Sequence, residues 1–440
     1  MNINELKEKV VKAIEDNKAL VIKTSREIYS TPEFGYKEFK STGTVVRFLK
    51  ELGLEVEENI AVTGCKAILK CGKPGPTVAI LGELDAISCV THKDAVETGA
   101  VHACGHNNQV GGMLGAALGL VKSGILKELA GNVSVIATPA EEFVELEYRD
   151  KLRGEGKLTY FGGKQELIKK GCFDDVDMAM MFHSSDMGDN DALIGPVSNG
   201  FIGKKVRFIG KESHAGSAPE DGINALNAAT LAINNIHAQR ETFKDSDRVR
   251  VHPIITKGGN IVNSVPDDVQ MESYVRARTI NAMIDSNYKV DRALKAGAMA
   301  VGAKVEITSI PGYLPILNYP EFDQLFKNNL LLLGIPEDKI IQGGDFTGSF
   351  DLGDVSHIMP AIHPMIGGVK GSLHTRDFET IDEEKAYIMP AKAMALTVVD
   401  LLYGDAANAN AILGNFTPTM TKEEYLKFLE SVDNVEIFEG

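Results

Sequence analysis

The sequence lacks several features that mark particular classes of protein. It contains no tryptophan, no apolar run long enough to span a bilayer and no block of like charge. Its formal net charge is −15, which argues against nucleic acid and anionic membrane surfaces as partners, because both attract basic patches. Residues 1–18 are charged and amphipathic and hold no apolar core of a signal peptide, so we expect a cytoplasmic protein.

Cysteine is also scarce, with five residues in the chain. The number is odd and the spacing shows no disulfide framework, which favours a reducing compartment. We expect Cys104 to be a metal ligand. The remaining cysteines are expected to be small buried apolar side chains: Cys65, Cys71, Cys89 and Cys172.

The apolar content is large enough for two domains, since 44% of the 440 residues are hydrophobic. Residues 77–81, 133–137 and 178–182 form continuous β-rich runs, as expected for strands buried on both faces. Helical patterns lie between these runs, so strand and helix alternate. This order predicts an α/β domain with a mostly parallel, helix-covered sheet.

The pattern changes after Leu193, where four segments alternate in polarity like half-exposed antiparallel strands. The segments are 203–209, 249–255, 268–275 and 303–308, separated by helices at roughly 222–240 and 281–301. Their β-α-β-β-α-β order predicts an inserted α+β domain with a ferredoxin-like layout. We therefore expect a catalytic domain in two pieces, 1–194 and 316–440, around an inserted domain of residues 195–315.

Residues 102–106, with the sequence HACGH, form the most informative segment of the chain. They place the Cys104 thiol and the His106 imidazole two residues apart, at the start of a helical pattern. Either residue alone is compatible with a purely structural role, but the pair lies between two acidic clusters. Thiolate and imidazole are ligands of Zn²⁺, and the nearby carboxylates would also suit Mn²⁺ or Co²⁺.

Polar side chains follow each of the three predicted buried strands. Glu83 and Asp85 follow one strand, Glu141 and Glu142 the next, and His183 the third. Ligands of such sheets bind beyond the carboxyl ends of the strands, so this placement predicts a single site. Within the adjacent pair, one carboxylate can ligate a metal while the other deprotonates the bound water. Asp85 is placed to orient a ligand imidazole, and Glu83 is either a ligand or a neighbour.

Two further regions hold candidate histidines. His374 lies in the segment GSLHTR, and His363 is its rival. His214 lies in a loop of the inserted domain, where an ordinary turn histidine is the alternative interpretation. The glycine-rich stretch 258–266 is also compatible with a plain hairpin loop, because it lacks the strand–glycine–helix context of a phosphate site.

Together these motifs resemble the M20 family of metallopeptidases and amidohydrolases. They are most similar to its aminoacylase-1-like-2 and p-aminobenzoyl-glutamate hydrolase branch. The matching stretches occur in family order across most of the chain: GELDA at 82–86, HACGHN at 102–107, PAEE at 139–142, HAGSAP at 214–219, GGNIVNSVP at 258–266, SFDLGDVS at 349–356 and LHT at 373–375.

The resemblance implies a catalytic centre with two divalent metal ions, zinc first, with manganese or cobalt as alternatives. It implies Glu141 as the general base, supported by Asp85 and His214 as further catalytic residues. The implied metal ligands are Cys104, His106, Glu142, His183 and His374.

For the inserted domain, the resemblance implies a lid through which two subunits form a homodimer. His214 would polarise the scissile carbonyl, from its own or from the neighbouring subunit. Asn263 and Arg276 would bind the substrate, with Arg276 as a clamp for a carboxylate. Arg278 is an alternative clamp, because the spacing Arg-Ala-Arg leaves the match open.

These features predict metal-dependent hydrolysis of an amide bond in a small substrate that carries a carboxylate. The expected substrates are N-acyl amino acids, dipeptides and aminobenzoyl-glutamate-like compounds. A dipeptidase or aminopeptidase that requires a free amine is the alternative within this class. A metal-stabilised protein that binds a ligand without turnover is the alternative outside it, although such a protein has no need of Glu141.

Overall fold

The chain forms twelve helices and nineteen strands in the computed structural model, which describes residues 1–440. The helices are α1 (Ile3–Tyr29), α2 (Phe39–Glu51), α3 (His106–Lys122), α4 (Leu146–Gly154), α5 (Gly163–Lys169), α6 (Ala225–Ala238), α7 (Ile280–Met299), α8 (Pro320–Leu332), α9 (Leu352–Ser356), α10 (Met389–Leu402), α11 (Ala407–Asn415) and α12 (Lys422–Val432). The strands are β1 (Val56–Ile60), β2 (Gly64–Lys70), β3 (Lys73–Glu83), β4 (Ile87–Ser88), β5 (Ala100–Val101), β6 (Ala130–Thr138), β7 (Met178–Met180), β8 (His183–Ser184), β9 (Ala192–Ile194), β10 (Gly200–Ile209), β11 (Arg250–Lys257), β12 (Asp268–Ala277), β13 (Lys304–Pro311), β14 (Ile340–Gln342), β15 (Ala361–Ile362), β16 (Met365–Ile366), β17 (Val369–Lys370), β18 (Glu379–Thr380) and β19 (Asn434–Phe438).

The chain divides into two units, each with most of its contacts inside itself. The first unit comprises Met1–Val197, Leu317–Asp345 and Asp354–Thr419. The second unit comprises Ser198–Ile316, Phe346–Gly353 and Met420–Gly440.

The first unit is built around a six-stranded sheet in the order β1-β2-β6-β3-β7-β15. Strands β6, β3, β7 and β15 run parallel to their neighbours, while β2 and β1 are antiparallel additions at one edge. Every residue of β3 from Val78 to Glu83 is buried, as expected for a strand covered on both faces. The prediction of a mostly parallel, helix-covered sheet is therefore confirmed.

The long helix α1 shows why the first unit has a large apolar core. Its start is fixed by a capping box, in which the side chains of Asn2 and Glu5 each accept from the other residue's backbone N–H. Its apolar stripe includes Leu6, Val10 and Ile14, all fully buried in the core shared with α3 and α10. No helix of the chain combines the length and the apolar composition that a membrane span requires.

The sheet brings four strand ends to one edge of the first unit. Strand β3 ends at Glu83 beside Thr138 of β6, and the register continues through β7 to β15. Because these strands are parallel, the segments that follow them leave the sheet on the same side. Those segments carry the acidic pairs and histidines singled out in the sequence.

The second unit contains β10, α6, β11, β12, α7 and β13 in chain order. Its sheet has the order β11-β12-β10-β13-β19, and every neighbouring pair is antiparallel. Strand β12 alternates half-buried and buried residues along its whole length, because one sheet face lies against the helices. The predicted ferredoxin-like α+β layout is confirmed.

The chain's last residues differ from the sequence-based expectation. Residues 420–440, which we placed with the catalytic domain, lie in the second unit. Tyr425 and Leu429 of α12 are fully buried there, and β19 pairs antiparallel with β13. We expected only a helix in this tail. The strand was missed because its pairing partner lies far away in the sequence.

A glycine in α7 tests the close packing of the second unit. A Cβ on Gly297 would lie 2.5 Å from the backbone nitrogen of Ala232 and 2.7 Å from the carbonyl oxygen of Ala228, both in α6. We expect Gly297→Ala to lower the free energy of unfolding by about 1–3 kcal/mol through overpacking, although helix propensity alone would raise it by about 1 kcal/mol. Urea denaturation measures the change.

Gly43 is the matched control, because it lies in α2 and a Cβ on it would have no other atom within 4 Å. Gly43→Ala is expected to raise the free energy of unfolding by up to about 1 kcal/mol. Equal stabilisation by both substitutions would contradict the close approach of α6 and α7.

Candidate metal centre

The loop between β5 and α3 positions Cys104 and His106. Gly105 between them adopts a left-handed backbone with φ at 80°, and α3 begins immediately afterwards at His106. The backbone N–H of His374 donates to the carbonyl of Ala103 at 2.8 Å. This bond brings a segment from late in the chain against the same loop.

Two groups of side chains could each hold a metal ion, and Cys104 belongs to both. The first group is Cys104, His106 and His183, and the second is Cys104, Glu142 and His374. Within each group, one ligand atom per residue lies within 4.8 Å of the others. The structure thus brings together all five residues that we predicted as ligands.

The shortest distances within the groups converge on the Cys104 sulfur. Its Sγ atom lies 3.5 Å from Nε2 of His183 and 3.3 Å from Nε2 of His374. The same His374 nitrogen lies 2.9 Å from Oε1 of Glu142. All these residues are buried except His374, whose side chain is 45% exposed, so access to the centre is from the His374 side.

Asp85 orients the His106 ring. The Nδ1 atom of His106 lies 3.1 Å from Oδ1 of Asp85 and 2.9 Å from its carbonyl oxygen. With Nδ1 as the donor in these bonds, Nε2 carries the lone pair that a cation needs. Nε2 lies 3.2 Å from Oε2 of Glu83 and 3.9 Å from Oε2 of Glu141. Glu83, His106 and Glu141 form a third group with ligand geometry.

The charges of the centre shift the pKa values of its members strongly. Burial raises the pKa of the Cys104 thiol, but the His106 and His183 cations outweigh it and bring the pKa to about 6. Burial also raises the pKa of Glu142, yet His374 lowers it to about 2. Burial lowers the pKa of His374, whereas Glu142 and Cys104 raise it to about 11. A thiolate and a carboxylate therefore share a pocket whose negative charge attracts cations.

The donor chemistry fits two divalent cations. Sulfur, imidazole nitrogen and carboxylate oxygen are the ligands that zinc takes in proteins, and three protein ligands per ion leave a position for water or substrate. The Nε2 atom of His106 is buried and makes no hydrogen bond. A buried polar atom of this kind is costly unless something binds it.

The rival histidine lies beside the centre without joining either group. His363 follows β15 and is fully buried, with its ring 5.9 Å from the ring of His183. Burial, with the His183 charge adding to it, holds the pKa of His363 well below its usual range. His374, and not His363, completes the second group with Cys104 and Glu142.

The remaining predicted site residues belong to the second unit. There the His214 loop and the Asn263 loop are joined by a bond from Ala215 N–H to the Asn263 carbonyl at 3.0 Å. Arg276 lies on β12 with its guanidinium over the rings of Phe201 and Tyr274, at 5.6 and 5.1 Å. The structure therefore brings His214 together with Asn263, and their catalytic and substrate-binding roles stay predictions.

The partners of Glu83 were not predicted from the sequence. Lys164, in the first turn of α5, donates from Nζ to Oε1 of Glu83 at 2.6 Å, and both side chains are almost completely buried. Gln109 of α3 donates to Oε2 at 2.8 Å. The only signal was a lysine after two glycines at a helix start, which does not identify a distant carboxylate as its partner.

The fold and this donor set define a metal-dependent hydrolase of amide or peptide bonds. Residues 79–399 match peptidase family M20/M25/M40, and the chain belongs to that family. The family membership predicted from the motifs is confirmed.

Relatives with known names cover most of the chain. An Xaa-Arg dipeptidase from Mus musculus is 30% identical over 424 residues, which are 91% of this chain and 90% of that protein. A p-aminobenzoyl-glutamate hydrolase homolog from Haemophilus influenzae is 25% identical over 58% of this chain and 68% of its own length. A dinuclear metal-binding M20 peptidase from Bacillus subtilis shares the fold, with a TM-score of 0.65, 21% identity and coverage of 88% of this chain and 99% of that one.

Replacing Lys164 by Met would leave Glu83 as a buried carboxylate without its ammonium partner. We expect the free energy of unfolding of the metal-free protein to fall by about 3–5 kcal/mol, because an uncompensated buried charge is costly. Urea denaturation of the metal-free protein measures this loss.

Lys93→Met is the control for Lys164→Met. Lys93 pairs with Glu379 at the surface, where the side chains are 63% and 42% exposed, so its loss should leave stability unchanged. If the two lysine variants were equally stable, the buried ion pair would not have the role assigned to it.

Proposed function

We propose that this protein hydrolyses the amide bond of small substrates that carry a carboxylate, with Glu141 as the general base. The observation that supports this most strongly is the position of Glu141. Its side chain is buried, 3.9 Å from His106 of the first ligand group, and it directly precedes Glu142 of the second. A carboxylate between two cation positions, but in neither of the two groups that share Cys104, suits a base.

The reaction would divide between the cations and the chain. Two divalent ions would supply Lewis acidity, which makes water more acidic and polarises the substrate carbonyl. Glu141 would take the proton of the attacking water and return it to the leaving amine nitrogen. Asp85 would keep the His106 ring in its ligating orientation, and His214 would stabilise the negative charge that develops on the carbonyl oxygen.

Dipeptides are the substrates that the comparisons support best. The relative with 30% identity over nine-tenths of both chains is an Xaa-Arg dipeptidase, and another relative is a p-aminobenzoyl-glutamate hydrolase homolog. Both names describe an amide bond next to an amino acid that carries a free carboxylate. We therefore place dipeptides with a carboxyl-terminal arginine first, followed by aminobenzoyl-glutamate and N-acyl amino acids.

We also propose zinc as the resident metal, a cytoplasmic location and a homodimer formed through the second unit. The thiolate ligand supports zinc over manganese or cobalt, and five free cysteines support a reducing compartment. Strand β11 is an edge of its sheet and carries Ile254 with 61% of its surface exposed. An exposed apolar edge strand supports an interface there.

Glu141→Gln tests the proposed base. We expect kcat to fall by at least about 10³-fold on any substrate that the wild-type enzyme cleaves, because the proton acceptor is lost. The zinc content should not change, since no residue of the two Cys104-containing groups is altered. The assay compares Xaa-Arg dipeptides, p-aminobenzoyl-glutamate and N-acetyl amino acids, with metal content measured on the same samples. Wild-type turnover by the variant would contradict the assignment.

Arg276→Met tests the carboxylate clamp. A charged hydrogen bond to substrate contributes about 1.5–3 kcal/mol, so KM should rise by about 10–100-fold with a smaller change in kcat. Arg278→Met is the comparison, because the Arg278 Nε already donates to Asn199 at 3.3 Å. A larger KM effect from Arg278→Met would transfer the clamp to Arg278.

A further inference from the structure

The backbone between β6 and the two glutamates makes an unusual turn. Ala140 has φ at +51° and is fully buried. A residue with a Cβ avoids this left-handed region, and holding it there costs about 1–3 kcal/mol. The turn comes directly before Glu141, so the backbone conformation of Ala140 decides where the Glu141 carboxylate points.

Four hydrogen bonds from other parts of the chain hold this turn. Each uses a peptide N–H or carbonyl of Ala140 or Glu142. The Ala140 N–H donates to Oε1 of Glu38 at 2.7 Å, and Gly163 N–H donates to the Ala140 carbonyl at 3.2 Å. The Glu142 N–H donates to Oδ2 of Asp85 at 2.8 Å, and Arg149 Nη2 donates to the Glu142 carbonyl.

Two of these anchors are carboxylates on alternate residues of the turn. Glu38 binds the amide of Ala140 and Asp85 binds the amide of Glu142, so Glu141 lies between two fixed peptide groups. Asp85 also contacts His106, which explains its presence at the centre. Glu38 has no such second role at the metal centre, and its contacts need a separate explanation.

Glu38 is completely buried just before α2. Its second oxygen accepts the Thr63 hydroxyl at 2.6 Å. Burial, with the charge of Asp85 adding to it, raises the pKa of Glu38 to about 8. Burying a carboxyl group is costly, and here it is bound to a backbone amide and a hydroxyl rather than to a cation.

We propose that Glu38 is a positioning residue for catalysis, which holds the Ala140 amide and thereby the turn that directs Glu141. This inference rests on the proposed role of Glu141 as general base. Without the bond to Glu38, rotation at Ala140 toward negative φ relieves the strain and moves the Glu141 carboxylate. A displacement of about 1 Å of a reacting group can cost about 10²-fold in rate.

The test uses side chains of similar size that differ in their acceptor. Glu38→Gln keeps an oxygen for the Ala140 N–H and presents an amide that can donate to Thr63. Glu38→Met fills the same space without an acceptor. Glu38→Asp retains the carboxyl but withdraws it by one methylene, and it replaces the Met variant if that protein does not fold.

Glu33→Ala is the matched structural control. Glu33 accepts from the backbone N–H groups of Lys40 and Ser41 at the start of α2, at 2.9 and 3.1 Å. It therefore supports the same helix start as Glu38 without touching Ala140. Its loss should lower the melting temperature and leave kcat within about threefold of the wild-type value.

We expect Glu38→Met to lower kcat by about 10²-fold with KM changed by less than about threefold. Hydrogen exchange at the Ala140 amide should become at least about tenfold faster, because its acceptor is gone. Glu38→Gln should restore both quantities to near wild-type values. A residue needed only for folding would not give this split between kcat and KM or this rescue.

The two readouts separate the inference from the proposed function. Wild-type kcat in folded Glu38→Met would overturn the positioning role, and so would equal losses of kcat in Glu38→Gln and Glu33→Ala. If the wild-type enzyme cleaved none of the substrates, the proposed function would fail. Hydrogen exchange would then decide alone, and unchanged exchange at Ala140 in Glu38→Met would overturn the inference.

Discussion

One sulfur atom organises the candidate centre. Cys104 is the member common to both ligand groups, so two cations placed by those groups would lie on either side of its thiolate. The parallel strands bring the other donors to it, because the segments after β3, β6, β7 and β15 all leave the sheet at the same edge. His374 comes from outside the sheet and is tied to the Cys104 loop through Ala103.

The same arrangement concentrates negative charge in a buried place. The first unit offsets part of this charge with its own cations, since Lys164 is paired with Glu83 and Arg149 binds the Glu142 carbonyl. The remainder is left for metal ions, which is why the thiolate and Glu142 hold protons on nearby imidazoles when none is bound. The neighbouring turn at Ala140 adds backbone strain, and the buried carboxylates of Asp85 and Glu38 hold it in place.

Much of the fold and of the ligand set could be predicted from the sequence. Continuous apolar runs identified the buried strands, and the alternation after Leu193 identified the ferredoxin-like unit. Glu38 and Lys164 could not be predicted, because their partners lie 102 and 81 residues away and no local pattern marks them. The tail strand β19 escaped for the same reason, since strand pairing with β13 is a tertiary event. Local periodicity predicts elements, whereas buried polar contacts between distant segments need the folded structure.

The most direct test of the shared-sulfur centre is a crystal structure of the zinc-loaded protein with anomalous diffraction data at the zinc edge. Two anomalous peaks should flank the Cys104 sulfur, one bounded by His106 and His183 and the other by Glu142 and His374. A map with zinc at neither position, and with these side chains separated from Cys104, would contradict the account.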